Sequence, residues 1–364
     1  MSKVYFTDMR TSFTENLPKK LTRLIDRAGL GTIDFDHKFV AIKIHFGEMG
    51  NLAYLRPQYA RALAAYIKER GGLPFLTDCN TLYVGSRKNA LEHIETAYIN
   101  GYTPYATGCQ VIIADGVRGT DEAYIPIGCE EVKTAKIGRA IADADIIISL
   151  NHFKGHEDAG FGGALKNLGM GSGSRAGKME MHYDGKPVDR DRCCGCRKCA
   201  TICANDGIHY ESSKAVIDHD NCAGCGRCIA ICSFDAIKPH NSSSEASLNR
   251  RIAEYAYAVV KDKPNFHISI AADISPNCDC HPENDAPIVP NIGMFASFDP
   301  VAIDLAAADA VNAMPANPRS ALSEAECRCH DHFINVHPNT NWRVQIEHGE
   351  EIGLGSSEYE LIRI

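Results

Sequence analysis

The chain lacks any apolar run near the roughly 18 residues that a membrane span needs, and its opening residues, MSKVYFTDMRTSFTENL, hold no apolar stretch of signal-peptide length. A cytoplasmic protein with no membrane partner is expected. A basic arm or an aromatic-basic stripe is also missing, and the formal net charge is -8. Nonspecific nucleic-acid binding rests on Lys and Arg neutralising phosphates, so no nucleic-acid partner is expected. The phosphate-cradling G-x-x-x-x-G-K-[ST] pattern is not met, since Gly177-Lys178 runs into Met179. No flavin or nicotinamide fingerprint occurs, which leaves a hydride donor unsupported. Low-complexity sequence is confined to the polar linker Asn241 to Ser244.

Cysteine, by contrast, is plentiful, with 16 in 364 residues. Cys193, Cys196, Cys199 and Cys203 form C-x2-C-x2-C-x3-C, and Cys222, Cys225, Cys228 and Cys232 repeat it 29 positions later. The repeat extends to Gly195 and Gly224, Ile202 and Ile231, Asp206 and Asp235, and Ile208 and Ile237, as an internal duplication would leave it. Thiolates two residues apart wrap a loop around one cubane, and the fourth cysteine, on a helix leading away, reaches the other cluster. Two 4Fe-4S clusters are therefore expected, one on Cys193, Cys196, Cys199 and Cys232, the other on Cys222, Cys225, Cys228 and Cys203. Ala204 and Ser233 stand where the bacterial pattern has proline, which is no ligand, and Cys194 is read as a spectator. Zinc ribbons or a disulfide framework need two or four cysteines per site, tolerate other spacings and do not call for eight at this register. Such ligands imply a reducing, oxygen-poor compartment and an anaerobic host. Residues 189–240 carry seven acidic and seven basic side chains, and Arg197, Lys198 and Arg227 within the ligand loops favour the reduced state.

Before the cysteines, apolar β-rich runs alternate with helical patterns. Strands are expected at Val4 to Thr7, Phe39 to His45, Leu73 to Thr77, Val111 to Ala114 and Ile146 to Leu150, and helices over about Glu15 to Arg27, Pro57 to Arg70, Arg87 to Asn100 and Glu131 to Ala142. This alternation implies an α/β fold, a mostly parallel sheet with helices on both faces. After the cysteines come a helix near Ala246 to Lys261, a strand at Phe266 to Ala271, and a helix capped by Asp299 with Pro300 in its first turn. The domains are read as an α/β part over 1–186, a two-cluster α+β ferredoxin-type insertion over 187–240, and the resumed α/β part over 241–364. Ligands in such sheets bind beyond the carboxyl ends of the strands. His45, His152 and His156 fall there.

The stretch NHFKGHEDAGFGGALKNLGMGSG, Asn151 to Gly173, directly follows the run Ile146 to Leu150. Its seven glycines permit close backbone approach to a ligand, while His152, Lys154, His156, Lys166 and Asn167 supply polar and titratable groups. ADIIISLNHFKGHEDAGFGGALKNLGMG, the double cysteine motif, CDC at Cys278 to Cys280, SFDPVAIDLA from Ser297 and the closing LGSSEYELI together resemble a family designated only as a domain of unknown function and described as an uncharacterised iron-sulfur centre protein. The resemblance covers nearly the whole chain and implies a cytoplasmic iron-sulfur protein with no assigned reaction.

The same glycine-rich segment is distantly similar to the core of nickel-pincer lactate racemases, where a histidine precedes a glycine-rich turn, a lysine tethers the pincer nucleotide and a later histidine binds nickel. That likeness places His156, Lys166 and His182 in these roles and matches His45 to an earlier histidine. His45 is not followed by the Thr-Arg-Pro of the racemases, which also have no ferredoxin insert. A shared scaffold with a different ligand is the more economical reading, and the nickel pincer is not expected, because kinship of fold does not transfer chemistry.

Cys278 and Cys280 precede His281, and Cys327 and Cys329 precede His330. These C-x-C-H pairs suit a further zinc or iron site, or are simply reduced thiols. Cys79, Cys109 and Cys129 read as packing groups. The leading expectation is an iron-sulfur redox protein that relays single electrons to or from a site lined by His45, His152, His156, Lys166 and His182, using a redox partner protein or a small anionic substrate. The alternatives are an electron carrier or assembly partner with no substrate of its own, and a metal-cofactor isomerase.

Overall fold

The computed structural model describes the chain apart from residues 83–84, 183–187, 204–205, 219–220, 223–226, 238–244 and 327–328, and apart from the side chains of residues 230 and 245. Cys225, Cys327 and the linker Asn241 to Ser244 thus lie outside the described residues. Fourteen strands are described: β1 Ser2–Asp8, β2 Phe39–Lys43, β3 Leu73–Asp78, β4 Gln110–Ile113, β5 Glu122–Pro126, β6 Thr134–Gly138, β7 Ile146–His152, β8 Lys154–His156, β9 Gly160–Gly162, β10 Ile208–Glu211, β11 Lys214–Ile217, β12 Asn265–Ala271, β13 Gly293–Ser297 and β14 Tyr359–Arg363.

Eight of them make one sheet in the order β14-β1-β13-β12-β7-β2-β3-β4. Its pairings are parallel except β1 with β13 and β12 with β13. The fold is the mostly parallel α/β sheet that the alternating pattern implies, and strands from both sides of residues 187–240 share it. Because successive strand residues face opposite sides, β7 feeds two cores. Ile146, Ile148 and Leu150 pack with the helices Leu17–Arg27 and Pro57–Lys68, whereas Ile147 packs with the helices Ala164–Ser172, Glu245–Val260 and Pro300–Asn312. All seven residues of β7 are buried, as a central parallel strand requires.

Helix starts follow local chemistry. Asn16 caps the first helix at Lys19 N–H, and Asp299 accepts from Val301 and Ala302 N–H with Pro300 just inside. The helix expected from Arg87 begins instead at Ala90, because the Asn89 side chain caps Leu91 and Glu92 and leaves Arg87 to turn inward. The helix expected over Glu131 to Ala142 does not form. Thr134–Gly138 is strand β6, paired antiparallel with β5, followed by a short helix Arg139–Asp143. Ala135 and Ile137 alternate into the core there, so tertiary pairing overrides helical propensity. β2 ends at Lys43, which leaves His45 in the loop beyond it.

The cysteine-rich segment shares a small apolar core with Leu82 and Met179. β10 pairs with β11 through Ile208 and Ile217, while Val188 bridges Ile237. These two antiparallel contacts are related by the sequence offset of the repeat, as are the helices Lys198–Thr201 and Arg227–Ile231. Asp206 and Asp235 both adopt positive φ, at 49° and 48°. Duplication in sequence is therefore duplication in backbone.

Candidate functional site

A cavity of about 600 Å³ opens beyond the carboxyl ends of β2, β3 and β7. Charged residues end the apolar strands and line it. Lys43 Nζ, on the last residue of β2, lies 2.9 Å from Asp78 Oδ1 at the end of β3, and both side chains are nearly inaccessible. Lys43 also donates to Asn167 Oδ1 at 2.8 Å, and Asn167 Nδ2 donates back to Lys43 O at 3.0 Å and to Asn151 Oδ1 at 2.7 Å. Asn167 thereby stitches the helix Ala164–Ser172 to two strand ends and positions the adjacent Lys166. Burial works against the Asp78 carboxylate, yet Lys43 and the neighbouring His45, His93 and Lys178 hold it below the usual carboxylate range.

The three histidines near the strand ends differ in what they offer. His45 Nδ1 accepts from Gly47 N–H at 3.0 Å and Nε2 lies 3.0 Å from the Arg87 guanidinium, which Glu48 anchors at 2.9 Å. Burial, then Arg87, push the imidazole down to about 3, so it is neutral. His152 faces acceptors at both nitrogens, Asp279 at 2.9 Å and Ala272 O at 2.9 Å. It clamps β7 to the loop after β12 and has no nitrogen left as a base. Asp279 is correspondingly lowered to about 2, burial being outweighed by His152 and Lys154. His156 Nδ1 accepts from Asp158 and Ala159 N–H at 3.1 and 3.2 Å, so its ring hydrogen sits on Nε2.

Behind the cavity wall, Cys278 is fully buried. Its sulfur receives Lys166 Nζ at 3.2 Å, Lys154 Nζ at 3.8 Å and Cys280 N–H at 3.4 Å. A hydrogen bond from the Cys280 thiol, with the two ammonium groups, draws the Cys278 thiol down, and the same bond pushes Cys280 up. Burial opposes the charge on Lys166, but Cys278, Cys280 and Glu157 raise it above the ordinary lysine range. Lys166 is a protonated cation, not a free amine. Glu157 Oε1 lies 2.6 Å from His281 Nε2, and Glu157 Oε2 accepts from Cys278 N–H at 3.3 Å. Among the described residues, two groups of ligating atoms fall within 4.8 Å of one another: Glu157, Cys280 and His281, and His156, Glu157 and Asp158.

In the cysteine-rich body a hollow of about 20 Å³ is lined by Cys193, Cys196 and Cys199 of the first motif together with Cys232 of the second, and by Cys194. Ala215 N–H points at Cys193 Sγ at 3.4 Å, and Ala236 N–H at Cys232 Sγ at 3.3 Å. Gly207 N–H makes the equivalent contact to Cys203 at 3.3 Å. Converging thiols with backbone N–H donors fit a thiolate-held cluster. Of the second set, Cys203, Cys222 and Cys228 are described and Cys225 is not. The two sites are neighbours, since Ile229, Asp235 and Ile237 line the large cavity and Lys88 Nζ meets Asp235 at 3.0 Å.

Residues 40–309 match the family described as a domain of unknown function, DUF362. The chain belongs to the DUF362 family. No curated protein matches it. The lactate racemase apoprotein of Thermoanaerobacterium thermosaccharolyticum is similar at 11% identity over 75% of this chain and 51% of its own, with a TM-score of 0.40. A protein of Thermotoga maritima is similar at 12% identity over 80% of this chain and 56% of its own, with a TM-score of 0.39. The DUF362 chain thus spans little over half the length of either.

His45, His152, His156, Lys166 and His182 all line the one cavity of this DUF362 protein, and Cys280 joins them. Cys280 and Cys329 differ in surroundings. Cys329 Sγ contacts Asn335 Oδ1 at 2.9 Å within its own turn and belongs to neither group of ligating atoms. Lys43, Asp78, Arg87, Glu157 and Asp279 went unremarked in the sequence. Lys43 and Asp78 did carry a signal, a lone charge ending an apolar strand. No helix among the described residues is long and apolar enough to cross a membrane.

Proposed function

We propose that this DUF362 protein is an iron-sulfur redox protein in which two 4Fe-4S clusters, bound by the eight repeat cysteines, exchange single electrons with a small anionic molecule in the large cavity. The observation that carries the reading is the shared wall: Ile229, next to Cys228, lines the same cavity as Lys166 and His156. When bound, the clusters would supply one-electron transfer. Cys193, Cys196, Cys199 and Cys232 hold one, and Cys203, Cys222, Cys225 and Cys228 the other, on an inserted ferredoxin-type body. The residues of the α/β body do the rest. Lys166 and Lys154 present positive charge to an anion, and Lys166 holds a proton at Nζ beside the cavity. His156, whose Nδ1 is taken by backbone N–H groups, turns its other nitrogen to the buried Cys278 sulfur and helps hold it. His45 and His152 keep the floor rigid, and the apolar patch of Leu248 and Ile252 limits water.

The test uses chain purified without oxygen, which is expected to contain about eight iron and eight sulfide. After chemical reduction it is mixed with a panel of small anions that can accept electrons, 2-oxo and conjugated unsaturated carboxylates, and cluster re-oxidation is followed by absorbance. At least one compound is expected to re-oxidise the wild type and to do so at least tenfold more slowly in Lys166→Met at equal iron content. A chain without iron ends the reading. Re-oxidation indifferent to Lys166→Met favours a carrier without its own substrate, and nickel with added mass on Lys166 favours an isomerase.

A further inference from the structure

We infer that Glu157, Cys280 and His281 form a zinc site on the wall of the large cavity, separate from the repeat cysteines. The three donors come from two backbone segments that the fold locks together. Glu157 directly follows β8, whose Gly155 N–H donates to Ser275 O at 2.9 Å, and a Cβ at residue 155 would collide with the Pro276 carbonyl. The second segment turns back at His281 N–H to Cys278 O, 3.1 Å, which brings Cys280 and His281 to face Glu157. Their ligating atoms lie within 4.8 Å of one another, the span of donors around a single ion.

The donor chemistry selects the ion. One thiolate, one imidazole and one carboxylate suit a borderline cation such as zinc, whereas magnesium and calcium take oxygen donors alone. His281 is oriented for the task. Nε2 lies 2.6 Å from Glu157 Oε1, a contact the ion would replace, and Nδ1 lies 3.9 Å from Glu283 Oε1, outside hydrogen-bond reach. The neighbouring histidine is set otherwise, because His156 spends Nδ1 on two backbone N–H groups and keeps its hydrogen on Nε2. Cys278 is likewise taken by Lys166 and Lys154 and is walled off from the cavity. Three protein donors remain, all lining the cavity, and the ion would take the place of the Cys280 thiol's bond to Cys278. Three ligands with an open position are the pattern of catalytic zinc, in contrast to the closed four-ligand structural kind. Zinc there polarises a carbonyl or carboxylate oxygen of a molecule whose charge Lys166 also attracts.

The experiment dialyses the full cluster-loaded chain against zinc without oxygen and counts zinc and iron per chain by mass spectrometry. Wild type is expected to hold one zinc more than His281→Ala and one more than Cys280→Ala, with iron equal in all three. Zinc is also expected to raise the urea midpoint of the wild type and of neither variant, which separates loss of a ligand from loss of the fold. His281 is partly exposed, so its replacement leaves the core intact. Equal zinc in wild type and both variants overturns the site, as does a midpoint that zinc raises equally in all. Iron is read on the same samples, so an iron-free chain refutes the electron-transfer reading while the zinc difference is still decided.

Discussion

Replacing Lys43 by methionine keeps most of the side chain's volume and removes its charge from a pair that water scarcely reaches. At 2.9 Å and an effective dielectric of about 20, the attraction to Asp78 is about 6 kcal/mol. Part of that offsets the hydration both groups gave up on burial. The net cost of deleting one partner is about 3–5 kcal/mol, because the remaining carboxylate is stranded. Asp78 then keeps the Cys79 N–H at 2.9 Å, a distant His93 at 3.9 Å and the weaker pull of His45 and Lys178, with no ion pair in direct contact among the described residues. The double replacement Lys43→Met with Asp78→Asn leaves no stranded charge and is expected to recover at least about 2 kcal/mol. The chain supplies its own reporter, a single tryptophan. Trp342 is buried, donates to Asp331 at 2.9 Å and packs on Phe161 in the α/β core. Its fluorescence in a urea titration follows the body that contains the pair. A Lys43→Met midpoint within about 1 kcal/mol of wild type refutes the reasoning, as does a double variant whose loss equals the sum of the singles.

Two further perturbations probe the frame around the cavity. Asp304 accepts from Ala164 and Leu165 N–H at 2.6 and 2.8 Å at the start of the helix that carries Lys166, and burial raises its carboxyl to about 7 despite those donors. Its folded pKa exceeds its unfolded one, so its contribution is complete below about pH 4 and is lost as pH rises through about 7. Urea midpoints are expected to fall by on the order of 2 kcal/mol between about pH 5.5 and 7 in wild type, and to be flatter in Asp304→Asn; parallel profiles would sink the assignment. Gly169, on the same helix, faces the Ile252 carbonyl with no room for a Cβ. Gly169→Ala is expected to lower stability by about 1–3 kcal/mol by forcing the helix Glu245–Val260 away, and an unchanged Trp342 midpoint would show that the contact gives way freely.

The frame was legible because its cause is local. Alternation of apolar residues located β2, β3, β4 and β7, Asp299 with Pro300 announced a helix start, and the spacing of the cysteines carried the duplication. What escaped depends on distant partners. His152 looks like a free base beside a glycine-rich loop, but Asp279 that occupies it lies 127 residues on. Glu131 to Ala142 has helical composition, but β5 pulls it into a hairpin. The residues that face Glu157 come from a loop after β12, and no periodicity links the two segments. β13, held between β1 and β12, and the edge strand β14 are short, and both pair with β1 from the far end of the chain.

The repeated halves of the cysteine-rich body match in backbone yet not in surroundings. Ile229, Asp235 and Ile237 belong to the half pressed against the cavity, with both isoleucines buried. Their counterparts Ala200, Asp206 and Ile208 are half-buried or exposed. A duplicated unit in a symmetric medium would hold an extra electron equally well at either end. Here one end sits beside apolar side chains and lysines and the other is more open to water, so on the proposed electron-transfer reading the medium alone would make the two ends unequal.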